Sequence, residues 1–309
     1  MTMIERIDIT DREQWLELRR KDVTASAAAA LLGLHPHQTR FGLWAEKTGL
    51  TTPDAEPTAP MQRGLELEPI AIARLQKMRP NWIIQRPNAY YRDPQARLGA
   101  TPDCLVKESE LGGLGVVQIK SVEPSIFRQQ WCNDFSDTPQ PPMWIVIQTL
   151  VEAHLTQANW AMVGALVVSH GIELHLMDIP LHPPAIARVK AATADFWRMI
   201  EEGREPEPNY ELDGKLIETL YAAPTENEID LTGDNELPAI VADYQAFAGK
   251  ISEMEQQRKA LRAEILYKLG IATAARIATG RISAKAIHRA AYTVAASSFR
   301  RISFKENKA

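Results

Sequence analysis

The sequence predicts an α/β protein: a small mixed sheet flanked by helices, followed by a helical and β-hairpin extension. Three observations carry that prediction. Helical and strand-like apolar patterns alternate from residue 1 to about 210, as they do in layered α/β cores. Residues 204–238 then hold ten acidic and two basic side chains among several prolines, the composition of a connector. From Ala239 the pattern changes again, first to a heptad-like spacing and then to β-leaning residues with interspersed basic ones. The chain therefore divides into a domain at 1–210, a linker at 211–238 and an extension at 239–309.

In order along the first segment, "DREQWLELRRKDVTASAAAALLGL" reads as two helices around a short turn. Thr24 or Ser26 caps the second and Gly33 ends it. A loop at 51–60 precedes "MQRGLELEPIAIARLQKM", a helix with Leu67, Ile70, Ala71 and Leu75 on one face. Strands are expected near 82–91, 98–106 and 114–120, then a helix over 142–156. "AMVGALVVS" and "IELHLMDIP" follow as strands, and "PPAIARVKAATADFWRMIEEG" closes the domain as a helix. In the extension, Ile240, Tyr244, Phe247, Ile251, Met254, Arg258, Leu261 and Ile265 keep a 4-3-4-3 spacing over almost four heptads. That spacing gives a long amphipathic helix, able to pair with another helix or to pack on its own domain. The stretch after Gly270 reads as a basic strand pair.

Composition narrows the classes. Two cysteines, Cys104 and Cys132, cannot build a disulfide framework. No amino-terminal stretch has the pattern of a signal peptide, and the longest apolar run, Ala161 to Val168, is far too short to span a bilayer. The cytoplasm is the default expectation. Net charge is −4, but residues 250–309 carry 13 Lys/Arg against four Asp/Glu. A basic carboxyl end on an acidic chain suits either a polyanion contact or a solvated basic face.

The chemistry concentrates in "ATPDCLVKESELGGLGVVQIKS", residues 100–121. Side chains at i and i+2 of a strand share a face, so Gln118 and Lys120 point together while Ile119 points into the core. The glycine-rich turn folds this strand back beside the one ending at Asp103. An aspartate, a neutral oxygen and an ammonium then surround a space fit for a cation and a phosphate. Many metal-dependent nucleases place an acid where Gln118 stands. Taken alone, the pattern also fits a hairpin closed by a surface salt bridge. The seven histidines show no ligand spacing, and Trp131 and Trp144 stand close enough in sequence to border a channel.

Five stretches, "LRRKDVTASAAAALLG", "RGLELEPIA", "GATPDCLV", "GVVQIKS" and "IVIQTLVEAHLT", occur in that order. Together they resemble the phage lambda exonuclease and YqaJ-like viral recombinase family. The resemblance runs from residue 11 to about 210 and includes "DFWRMIEEGREPEP". It implies a PD-(D/E)XK nuclease core, a small mixed sheet flanked by helices, that degrades DNA with magnesium, manganese being the expected substitute. By the same resemblance, Asp103 is the central metal carboxylate, with Glu68, Gln118 and the main-chain carbonyl of Ile119 as further ligands. Lys120 is the catalytic lysine, and Gln148 stands on the helix flanking the site. Arg19 and Ser26 hold the terminal phosphate, and Arg63 joins them as a substrate contact. The implied partners are double-stranded DNA ends, a phage single-strand annealing recombinase, and further copies of the chain, commonly as a trimeric ring. Two other functions remain open here: an endonuclease of the same fold, and a DNA-binding scaffold without catalysis. Gln118 in the acid's place is the main departure from the family pattern.

Overall fold

A computed structural model of the chain describes residues 3–51, 58–108, 112–132, 138–291, 293 and 300–304. They form two compact units, Met1–Leu220 and Tyr221–Ala309.

The first unit opens with β1 (Glu5–Asp8), α1 (Arg12–Lys21), β2 (Val23–Thr24), α2 (Ala25–Ala28) and α3 (Arg40–Lys47). Asp11 caps α1 by accepting the Gln14 amide, and Thr39 caps α3 by accepting that of Gly42. The expected alanine-rich helix is shorter than its composition suggests. It passes after one turn into a 3-10 turn over Ala29–Leu32, closed by left-handed Gly33 at φ 68°. The long helix α4 (Ala59–Met78) follows, then β3 (Ile83–Gln85), β4 (Ala89–Asp93), β5 (Leu98–Ala100), β6 (Cys104–Glu108) and β7 (Gly113–Val122). A short α5 (Pro124–Ile126) continues into a π-type turn at Phe127–Trp131. The unit closes with α6 (Met143–Thr156), β8 (Trp160–Val168), β9 (Ile172–Ile179), α7 (Pro183–Glu201) and α8 (Tyr210–Leu220).

The strands make two sheets. One is five-stranded, in the order β3-β6-β7-β8-β9, and the other four-stranded, in the order β1-β4-β5-β2. β7 is central: it pairs antiparallel with β6 and parallel with β8. The parallel pair needs a crossover, and α6 supplies it. Both faces of the larger sheet are covered. Val117, Ile119, Met162, Leu166 and Leu174 pack with Ala71, Leu75 and Trp82 on the α4 side. Ala161, Val163, Ala165 and Val167 pack with Ile145, Leu150 and Ala153 on the α6 side. Alternation along β7 and β8 thus sends odd and even positions to different layers. Gly115 sits opposite Trp160 in this ladder, where a Cβ would lie 2.2 Å from the indole ring. Only glycine lets the indole lie across β7 there.

Several expectations need correction. The first unit extends to Leu220, beyond the predicted boundary at 210, because residues 211–220 of the expected linker belong to the helix Tyr210–Leu220. Asp213 anchors α8, buried and accepting from Thr39 Oγ1 at 2.6 Å and the Asn209 amide at 2.8 Å. Ile70 is exposed although Ala71 and Leu75 on its helix are buried, so the apolar face of α4 is narrower than its periodicity implies. Trp131 is a core residue, packed with Phe127.

The second unit is built on α9 (Leu237–Leu269), whose apolar stripe at Ile240, Tyr244, Phe247, Ile251, Met254, Leu261 and Ile265 is exposed throughout. The expected strand pair is a short hairpin of β10 (Ala274–Ile277) and β11 (Gly280–Ser283). Residues 292, 294–299 and 305–309 of that prediction lie outside the described residues.

Candidate active site

Asp103 lies immediately before β6, after Pro102, which cannot donate to a ladder. The last β6–β7 pair is Cys104 with Val117. Beyond it the Asp103 side chain takes over from the strand: its Oδ2 accepts the Ile119 amide at 2.8 Å and the Gln118 carboxamide Nε2 at 2.5 Å. Backbone geometry therefore holds the carboxylate against β7.

From Lys120 a chain of hydrogen bonds runs to helix α6. Lys120 Nζ donates to Gln148 Oε1 at 2.9 Å, and Gln148 Nε2 donates to Glu152 Oε1 at 2.8 Å. Gln148 and Glu152 are one helical turn apart and both buried. Lys120 Nζ also lies 5.4 Å from the centre of the Trp144 ring. On the other wall, Glu68 of α4 pairs with Arg86 at 2.6 Å.

Glu68, Asp103, Gln148 and Glu152 line a cleft of about 680 Å³ together with Arg12, Trp15, Arg19, Ser26, Arg86 and Tyr90, and Gln118 and Lys120 are bonded to two of these lining residues, Asp103 and Gln148. Arg19 rests on the Trp15 ring at 4.4 Å, and Trp15 Nε1 donates to Thr101 Oγ1 at 3.1 Å. Ser26 Oγ is 3.1 Å from Thr24 Oγ1. A second cavity, of about 550 Å³, lies among Leu150, Ala153, His154 and Ile186. It is largely apolar and shares none of these charged groups.

The electrostatics of the cleft favour positive charge. Burial pushes the Asp103 carboxyl up to about 6, with Glu68 adding to the rise and Lys120 opposing it. Burial and the neighbouring Asp103 charge push Glu152 up to about 8, against the Gln148 hydrogen bond and Lys120. Glu68 is raised by burial in spite of Arg86. Carboxyls raised in this way by burial and by one another's charge would be favoured as anions by a cation beside them. Two buried oxygens, Gln118 Oε1 and Glu152 Oε2, have no hydrogen-bond partner among the described residues. An all-oxygen donor set of this kind fits magnesium, which needs only one or two carboxylates and fills its other positions with water and phosphate. Among the described residues no three His, Cys, Asp or Glu side chains are gathered to hold a metal ion by themselves. A cation here would draw on amide, water and substrate oxygens as well.

The expected residues largely converge. Asp103 and Gln118 are bonded, as are Lys120 and Gln148, while Glu68, Arg19 and Ser26 line the same cleft. The Ile119 carbonyl accepts from Gln118 Nε2 at 3.3 Å. Arg63 does not join them: it is absent from the lining and its guanidinium lies 3.9 Å from Glu123. Arg86 and Glu152 escaped the sequence reading. For Glu152 a signal existed, as the single acid within the apolar helix "MWIVIQTLVEAHLT".

Residues 14–159 match the sequence pattern of the YqaJ-like viral recombinase domain. The matched span contains Arg19, Ser26, Glu68, Asp103, Gln118, Lys120, Gln148 and Glu152, while Arg12 of the cleft lining precedes it. The chain is also similar to the uncharacterized protein YqaJ of Bacillus subtilis strain 168, 26% identical over 267 residues, which are 84% of this chain and 78% of that one. Among solved structures it is similar to LHK-Exo, an alkaline exonuclease from Laribacter hongkongensis. The complex of LHK-Exo with dAMP gives a TM-score of 0.51 at 23% identity, covering 67% of this chain and 100% of that one. This chain and LHK-Exo share a mixed α/β fold.

Proposed function

We propose that this protein is a magnesium-dependent deoxyribonuclease that digests linear duplex DNA from its ends during recombination. The observation that carries the reading is the run from Asp103 through Gln118 to Lys120 and Gln148, opening on a cleft whose far wall holds Arg19 and Ser26. The similarity to an alkaline exonuclease supports the same class of reaction.

Asp103, Gln118 Oε1 and Glu68 are the groups that would hold magnesium. When bound, the ion supplies charge for the scissile phosphate and lowers the pKa of a water ligand. Lys120, oriented by Gln148, directs an ammonium at the charge that develops on the phosphoryl oxygens. Asp103 keeps its carboxylate fixed through the Ile119 amide, so little reorganisation accompanies the reaction. Arg19, braced on Trp15, offers a planar fork for a terminal phosphate.

The test is a magnesium titration on linear and covalently closed duplex, with the parent protein and a Gln118→Glu variant. The parent is expected to digest linear DNA and spare closed circles. Gln118→Glu should cut at a lower magnesium concentration, because the added carboxylate favours the cation. No cleavage by the parent at any concentration would overturn the assignment. Equal attack on circles would make the protein an endonuclease.

End recognition has its own test. Duplexes with phosphorylated termini should be digested roughly tenfold faster than those with hydroxyl termini, the scale of one charge-assisted hydrogen bond. Arg19→Ala should remove the difference, as measured by initial rates on matched substrates. Equal rates on both ends with the parent would show that Arg19 does not read the phosphate.

A further inference from the structure

We infer that Glu152 of α6 is a carboxylate ligand of the cation site and supplies from the helix the charge that Gln118 lacks on the strand. This rests on the nuclease reading above. Glu152 is 1% exposed, yet it lines the cleft that Asp103 lines. Its two oxygens are in different situations. Oε1 accepts from Gln148 Nε2 at 2.8 Å, while Oε2 is buried with no partner among the described residues. The nearby ammonium does not serve it: Lys120 Nζ is directed at Gln148 Oε1.

An unsatisfied buried carboxylate oxygen destabilises a fold, and α6 is otherwise apolar enough to have packed a leucine at this position. A merely structural role would need only Oε1. The second oxygen wants a positive partner. The same layer holds Gln118 Oε1, also buried and unpartnered. Gln118 and Lys120 lie on the β7 face turned to α6, opposite to the Val117 and Ile119 face that packs on α4. The two orphaned oxygens and Asp103 thus belong to one layer between β7 and α6. A divalent cation there would take Asp103 and Glu152 as its two carboxylates and Gln118 Oε1 as a neutral donor, Glu152 replacing Glu68 in the set, since Glu68 is already held by Arg86 at 2.6 Å. Two carboxylates are the number magnesium sites commonly use.

Calorimetric titration of the full-length, DNA-free protein with manganese, a spectroscopically and thermally convenient stand-in for magnesium, tests the assignment. Glu152→Gln keeps the acceptor for Gln148 and removes only the charge. It should weaken manganese binding by about tenfold or more, the scale on which ligand charge tunes such sites. Gln118→Glu combined with Glu152→Gln returns one carboxylate to the layer and should restore binding to near the parent value. Unchanged affinity in Glu152→Gln, with binding lost in Asp103→Asn, would overturn the role of Glu152 and leave the nuclease reading intact. A parent that binds manganese but never cuts DNA would sink the nuclease reading and leave the cation site standing. Where the single variant proves unstable, the swapped variant decides: parent-like affinity upholds the inference and lost affinity refutes it.

Discussion

Asp103→Asn and Lys120→Ala are expected to lower DNA cleavage by about 100- to 1,000-fold, the usual effect of removing one charge-stabilising group. Both should leave the fold in place. Asparagine still offers an oxygen to the Ile119 amide, which the carboxylate now engages at 2.8 Å. Alanine at 103 would instead abandon a strand amide at the end of the β6–β7 ladder, so asparagine separates chemistry from folding. Lys120 is half-buried at the far part of β7, and its hydrogen bond goes to Gln148, itself held by Glu152. Its loss frees one amide oxygen and disturbs none of the apolar layers. Initial rates on linear duplex, beside circular dichroism melts of the same preparations, give the answer. Turnover within tenfold of the parent from either variant would exclude these residues from the reaction.

Asp22→Ala is expected to be the most damaging change to stability outside the hydrophobic core. Asp22 ends α1 and is fully buried. Its two oxygens accept from Arg92 Nε and Nη2 of β4, each at 2.9 Å. This fork ties the α1–β2 junction to the smaller sheet, and α1 carries Trp15 and Arg19 to the cleft. Removing one partner of a buried pair leaves the other without compensation, at a cost of about 3–5 kcal/mol. The lower end applies here, because Arg92 keeps some exposure and has Glu5 at 3.5 Å. For a unit of this size about 3 kcal/mol lowers the melting temperature by roughly 6–12 °C. A shift under about 2 °C by calorimetry would show that the pair contributes little.

The elements legible in the sequence are those whose burial follows a simple period. β7, β8 and α6 lie between packed layers, and their apolar runs announce them. The local part of the site was equally accessible, since Asp103, Gln118 and Lys120 sit on one hairpin whose strand period sets their directions. Glu152 was not, because only the crossover fold brings it to the cleft that Asp103 lines. α8 was hidden for a different reason. Its acids suggest a solvated linker, yet Asp213 is the residue that docks it, through Thr39. A buried polar anchor leaves no apolar stripe to read. Arg63 lies apart for a reason of helical phase: it shares α4 with Glu68 but is directed to Glu123.

The acceptor of the Ile119 amide is a side chain that also lines the cleft. One backbone proton is therefore wired to the electronic state of the central carboxylate. In a nitrogen–proton correlation spectrum the Ile119 resonance becomes a built-in reporter: it senses whether Asp103 carries a proton, a negative charge or a neighbouring cation. No probe need be attached, and no substrate consumed, to follow the site as it loads.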